Sequence, residues 1–230
     1  MPQNEKNMNT IQHNISEVLK TIQIACERGD RDVEDVSLIA VSKKQPIERI
    51  HSALEAGHRL YGENRVQEAT ERWSDLRSQY SDLCLHLIGP LQTNKVKDAV
   101  ALFDVIETVD RPKLAKALAA EMKKQEKNLP CFIQVNTGEE EQKSGVSPED
   151  LPALLQLCKD EGLNITGLMC IPPQNDLPAL HFSFLKKLAE RHNLPHLSMG
   201  MSGDFEKAIP LGATHVRVGS ALFGARPAVK

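Results

Sequence analysis

The sequence predicts a closed (β/α)8 barrel of the TIM type with an extra amino-terminal helix, in one domain spanning 1–230. Three observations carry this: eight short and nearly continuous apolar runs, amphipathic segments between them, and a length of 230 residues. That length is ample for one core and short for two ordinary domains. Continuous apolar strands separated by helices mark a parallel sheet covered on its outer face, and eight such units in about 200 residues suit closure. A doubly wound open sheet is the competing arrangement.

The leader from Met8 to Arg28 reads as a helix because Ile11, Ile15, Leu19 and Ile22 recur at helical spacing. The strand candidates follow in order: 37-SLIAVS-42, 59-RLYGE-63, 84-CLHLIG-89, 104-DVIETV-109, 131-CFIQVN-136, 165-ITGLMC-170, 197-LSMGMS-202 and 215-HVRVGS-220. Between them lie crossover helices. Val66, Ala69, Trp73, Leu76 and Tyr80 share a face over Arg65 to Tyr80, and Leu114, Leu118 and Met122 do so over Pro112 to Lys127. The run Glu139-Glu140-Glu141 reads as a solvated surface within one βα loop. No linker-like stretch divides the chain, and it stops ten residues after the eighth strand, so no appended domain is expected.

With 28 Lys and Arg against 31 Asp and Glu, the formal charge of -3 offers no footprint for nucleic acid or an anionic membrane. The first thirty residues carry charges throughout, and eighteen apolar residues never run together, so a soluble cytoplasmic protein is expected. Five scattered cysteines, never spaced C-x-x-C, read as small buried apolar residues in a reducing compartment. The eight histidines are dispersed, argue against a metal site, and read mostly as surface or cap residues.

In a barrel the loops at the carboxyl ends of the strands build the site. Lys43 follows strand one, Asn64 strand two, 89-GPLQTNK-95 strand three, Asn136 strand five, 199-MGMSGD-204 lies at strand seven and 217-RVGSALFG-224 at strand eight. Two of these turns suit a phosphate: Gly200, Ser202 and Gly203 before Asp204, and Gly219-Ser220 before Ala221. Glycines let the backbone approach an anion, and free N–H groups attract it. Alternation puts Arg217 with His215 and Gly219 on one face and the flanking valines on the other, and with the valines packed against the helices Arg217 points inward. An inward arginine needs a partner, and both a ligand atom and a buried salt bridge are open. Closure brings strand eight beside Lys43. Lys43 shares the face of Ile39 and Val41, whereas Lys44 enters the loop before Pro46. A lysine, a phosphate cradle and an arginine facing a ring nitrogen are the parts that hold pyridoxal 5'-phosphate (PLP), and a neighbouring cation with desolvation would favour the amine that forms a Schiff base.

These residues lie in 38-LIAVSKKQP-46, 62-GENRVQE-68, 86-HLIGPLQTNK-95, 135-VNTGEEEQKSG-145, 167-GLMCIPP-173, 198-SMGMSGDFEKAI-209 and 216-VRVGSALFGAR-226. The set resembles the YggS/PROSC family of pyridoxal phosphate homeostasis proteins, from about Asn14 to Arg226. The resemblance implies a barrel like the amino-terminal domain of alanine racemase, with PLP as a Schiff base on Lys43. It implies that Asn64 and Ile88 flank the cofactor, that Ser202, Gly219 and Ser220 hold its phosphate, and that Arg217 approaches the pyridine nitrogen. It further implies a carrier or buffer of the cofactor without established turnover, whose partners are PLP and apo-forms of PLP-dependent enzymes.

A PLP-dependent enzyme acting on amino acids, racemase-like, is the alternative, and an interaction protein with a relic cofactor a third. An arginine beside the ring nitrogen makes a poorer electron sink than an acid would, and a racemase needs a second base. The only tyrosines are Tyr61, read as packing, and Tyr80, on a core-like helix face. Trp73 reads as core. Lys143 reads either as a solvated charge beside the three glutamates or as a lysine of cofactor entry and exchange.

Overall fold

All eight apolar runs become strands, and they pair in chain order until the last returns to the first. In the computed structural model, which describes the backbone of residues 2–225 and side chains from residue 10, the strands form one closed parallel barrel, β1 to β8. They span Ser37–Val41, Leu60–Glu63, Cys84–Leu87, Val105–Val109, Cys131–Gln134, Ile165–Met169, His196–Met201 and His215–Val218. The helices are α1 (Pro2–Arg28), α2 (Ile47–Glu55), α3 (Val66–Gln79), α4 (Val96–Leu102), α5 (Pro112–Lys124), α6 (Leu151–Asp160), α7 (Pro178–Arg191), α8 (Phe205–Ala208) and α9 (Ser220–Phe223). The open-sheet arrangement is thereby excluded: β1 pairs with β8 through four registered residues, Ile39 opposite Arg217 among them. Arg226, where the motif of strand eight was drawn to end, lies outside the described residues.

The main apolar core sits between barrel and helices, where the outward residues of each strand meet the helical stripes. Val66, Ala69, Trp73 and Leu76 of α3 are buried as their spacing requires, and Tyr80 caps that face half-buried. Tyr61 leaves β2 outward and packs on Trp73, with ring centroids 4.7 Å apart. Leu114, Leu118 and Met122 do the same from α5.

The leader helix is present and longer than its apolar pattern indicated. Ile11, Ile15 and Ile22 are buried, but Leu19 is 47% exposed and Val18 faces the core in its place. One residue along a helix is a rotation of about 100°, and at this turn of α1 the packed stripe runs through Val18 and leaves Leu19 on its solvent side. α1 lies against α2, α8 and α9, and Asn14 Nδ2 donates to the Leu222 carbonyl at 2.8 Å. The helix thus backs the turn after β8.

Candidate functional site

Period-two alternation decides what reaches the barrel axis. A methyl on Gly62 would lie 2.7 Å from Ile39 and 2.9 Å from Ile88, and one on Gly219 would meet Val41 at 3.4 Å. Ile39, Val41, Gly62, Ile88 and Gly219 therefore share the interior, and Lys43 is the next position on the parity of Ile39 and Val41. It is half-buried. Lys44 is exposed, with φ at 57°, where the chain has already turned away.

The two glycine-bearing turns meet. The Gly219 N–H donates to Ser202 Oγ at 3.2 Å, which joins the end of β7 to the turn before α9. Gly200 is required for this path: its φ is +91°, and a Cβ there would stand 2.7 Å from Ala208 Cβ and 2.9 Å from Phe205 Cα. Ser220 begins α9 and is exposed. Across β1, Gly89 rests on the backbone of Asn64 so closely that a Cβ would fall 2.2 Å from the Asn64 carbonyl oxygen. Asn64 Oδ1 is buried with no hydrogen-bond partner among the described residues. Ile88 is buried and covers Gly62.

Arg217 is interior and 3% exposed, as alternation required. Its Nη1 donates to Ser198 Oγ and its Nη2 to the Cys170 carbonyl, each at 2.8 Å. Its countercharge comes from across the barrel. Ser198 Oγ donates at 2.5 Å to Oε2 of Glu107, a wholly buried residue of β4, whose Oε1 accepts from His86 Nδ1 at 2.6 Å. Burial alone would raise the Glu107 carboxyl, but the His86 hydrogen bond and the charges of His86 and Arg217 hold it below the ordinary range. Burial alone would lower His86, yet the Cys84 and Glu107 side chains push it up to about 9.

The histidines are less peripheral than their dispersal indicated. Only His13 and His196 are exposed, His86 and His181 are buried, and the remainder are intermediate. His86, His215 and His196 gather at the amino-terminal mouth, with ring centroids 5.8 Å apart from His86 to His215 and 5.6 Å from His215 to His196. They lie on inward parities of β3, β8 and β7, a position that sequence separation conceals. Burial drives His215 down to about 4. These residues line a cleft of about 950 Å³, which opens at the mouth opposite Lys43. Burial likewise pushes the thiols of Cys131, Cys158 and Cys170 to about 12, consistent with inert apolar packing.

Glu63, Glu107 and Ser198 are given no role by the sequence, which places His86 apart from the cofactor. Glu63 is wholly buried on the outer parity of β2, and its Oε1 accepts from Ser42 Oγ at 2.6 Å, Arg72 Nη1 at 2.5 Å and Trp73 Nε1 at 3.0 Å. It holds Ser42, the residue before Lys43, and is itself the residue before Asn64. Lys143 is not a fully solvated charge: it is paired with Glu140 at 2.5 Å and reaches the Pro172 carbonyl at 3.4 Å, bridging the loops after β5 and β6. Glu139 and Glu141 are exposed, as their run implied.

The arrangement offers an amine, an apolar wall, an orphan acceptor, a buried guanidinium and a hydroxyl with N–H groups at paired turns. Those groups are complementary to a flat heteroaromatic ring bearing a phosphate. The sequence matches the family model described as alanine racemase, N-terminal domain, over residues 7–227. A pyridoxal phosphate homeostasis protein of Pseudomonas aeruginosa is 43% identical, the match covering 95% of this chain and 97% of that protein. One of Haemophilus influenzae is 39% identical over 94% and 96%.

The chain belongs to the pyridoxal phosphate homeostasis protein family.

PipY of Synechococcus elongatus, solved with PLP bound, superposes with a TM-score of 0.78 at 35% identity. The match covers 93% of this chain and 100% of that one. Membership in the homeostasis family bears out the resemblance drawn from the motifs, and the barrel is the one it implied. Among the described residues, no helix is long and apolar enough to cross a membrane.

Proposed function

We propose that this chain binds PLP covalently through Lys43 Nζ and holds, supplies or buffers it in the cytoplasm, as one domain over 1–230, without amino-acid turnover of its own. The observation that carries the reading is the seat in which Ser202 Oγ meets the Gly219 N–H beside β1, with half-buried Lys43 two residues beyond the end of that strand. When bound, PLP supplies an aldehyde that condenses with primary amines. The chain's own part is to hold it: Ser202, Gly219 and Ser220 at the phosphate, Arg217 at the ring nitrogen, Asn64 and Ile88 flanking. The orphan Oδ1 of Asn64 fits a polar ligand in that place. The relative solved with PLP supports the cofactor assignment.

A racemase-like reaction needs a second base, and neither tyrosine suits it. Tyr61 OH points to the His58 carbonyl at 3.3 Å on the outer side of β2, and burial raises its pKa further. Tyr80 stacks with Arg59 at 4.8 Å at the end of α3. The partners that follow are PLP and apo-forms of PLP-dependent enzymes. Incubating the PLP-loaded protein with such apo-enzymes, and separately with amino acids, tests the reading. Cofactor transfer is expected. Sustained racemisation, decarboxylation or transamination that Lys43→Ala abolishes would overturn it.

A further inference from the structure

Arg217 is one end of a buried polar chain that crosses the barrel to the other mouth. Four strands contribute: Arg217 from β8, Ser198 from β7, Glu107 from β4 and His86 from β3, linked at 2.8, 2.5 and 2.6 Å. The direction of each link is fixed. A serine hydroxyl has one proton; Ser198 gives it to Glu107 and can only accept from Arg217. Glu107 accepts twice, one oxygen for each neighbour, so its negative charge is shared between the guanidinium and the imidazole. The chain is separate from the groups placed at the phosphate and covalent ends of the ligand.

We propose that Glu107 and His86 are positioning residues for Arg217, setting through Ser198 the direction and effective charge of the guanidinium at the cofactor mouth. This rests on the assignment of PLP to that mouth. It makes the amino-terminal cleft, where His86 ends the chain, a place whose protonation is felt at the opposite end. The groups facing His86 are Glu107 from β4, Cys84 on its own strand and His215 from β8, with His196 of β7 beyond His215. The elevated pKa of His86 and the depressed pKa of His215 leave His86 as the charged member of these two near neutral pH. When His86 loses its proton, Glu107 keeps one cation to share, and that cation is Arg217. A purely structural Glu107 would stabilise the fold without passing this change along.

The test begins on the protein without added PLP. Side-chain ¹⁵N NMR of Arg217 and His86 is followed from about pH 6 to about pH 10 in wild type, Ser198→Ala and His86→Gln. In wild type the Arg217 signal is expected to move with the His86 titration. In Ser198→Ala, His86 still titrates while Arg217 no longer follows it. In His86→Gln, Arg217 shows no such transition. PLP dissociation constants are then measured; Glu107→Gln is expected to weaken binding about fivefold, the lower range of ordinary coupling between sites. An Arg217 signal that ignores His86 in wild type, or follows it unchanged in Ser198→Ala, overturns the coupling. Should Ser198→Ala fail to fold, His86→Gln decides: an Arg217 transition that persists there refutes the proposal. Failure of wild type to bind PLP would overturn the functional reading, and would show in the dissociation constant rather than in the NMR titration.

Discussion

Replacing Glu63 by alanine should loosen the barrel and the lysine end together. The glutamate is wholly buried, and three donors converge on its Oε1: the Ser42 hydroxyl, the Trp73 indole and the Arg72 guanidinium, whose side chain is only 16% exposed. Removing one partner of a buried ion pair costs about 3–5 kcal/mol, and each neutral group left unsatisfied about 1–3 kcal/mol. These do not add, because Arg72 is near enough to the surface to find water and Ser42 can rotate, so a loss on the order of 4 kcal/mol is expected. For a chain of this size each kcal/mol moves Tm by about 2–4 °C, which gives a fall of about 8–16 °C. Circular dichroism melts and urea unfolding would measure it. Glu63→Gln keeps an acceptor for Ser42 and Trp73 and should cost roughly half as much. Because Ser42 precedes Lys43 and Asn64 follows Glu63, PLP affinity should fall in the alanine variant as well. A fall in Tm below about 3 °C would refute the view that this carboxylate anchors both strand ends.

Borohydride reduction should fix pyridoxyl mass on the peptide carrying Lys43, and Lys43→Ala should abolish it while Lys44→Ala does not; attachment solely at Lys44 would sink the parity argument. Ser202→Ala combined with Ser220→Ala should weaken PLP binding about tenfold, reducing without abolishing the roughly 2.7 kcal/mol of ligand stabilisation expected at a hundredfold excess over Kd; an unchanged Kd would remove both serines from the phosphate. Stability should peak near pH 6.5, because His86, raised from 6.5 to about 9, loses its contribution as pH rises across that window, and His215, lowered from 6.5 to about 4, loses its own as pH falls across the lower one. His86→Gln should flatten the alkaline limb, and stability that climbs from pH 7 to 9 in wild type would contradict the assignment. Arg217→Met with Glu107→Leu and His86→Leu, which removes every charge of the buried set together, should fold at least as stably as wild type yet bind PLP poorly, and a triple variant more than about 2 kcal/mol less stable would show that the charges serve the fold.

Most of the barrel was legible because its signals are local. Apolar runs of four to six residues, helical stripes and glycine turns each announce themselves within a dozen positions, and all eight strands fall within two residues of their expected ends. Arg217 was legible because alternation along one strand assigns its face. Leu19 was misplaced because the spacing of Ile11, Ile15 and Ile22 admits either of two neighbouring residues on the stripe. The Glu107 network was not read because its four members come from four strands, and register across a closed sheet is a property of the whole barrel. A signal did exist: Glu107 is the one acid within the apolar run 105-VIETV-109, and a buried acid in an apolar strand requires a partner. His215 carried a similar signal, two residues before Arg217 on the same face.

The position of these charges bears on why they are there. A barrel built for stability alone would stack branched apolar side chains along its axis, whereas this interior holds Arg217, Glu107, Ser198 and His86. Desolvating two ions commonly costs as much as their attraction returns, so the set is a poor device for holding strands together. The apolar work is done outside the barrel, where Trp73, Leu118, Phe182 and their neighbours fill the space beneath the helices. The charges instead follow from Arg217. A guanidinium fixed beside the lysine-bearing strand must be compensated, yet a carboxylate in direct contact would draw it away from the mouth. Glu107 placed across the axis, with the Ser198 hydroxyl between, supplies the compensation at one remove and leaves the cation on β8, while His86 balances the carboxylate's other oxygen. The buried polar chain is then the consequence of putting one cation at the carboxyl mouth.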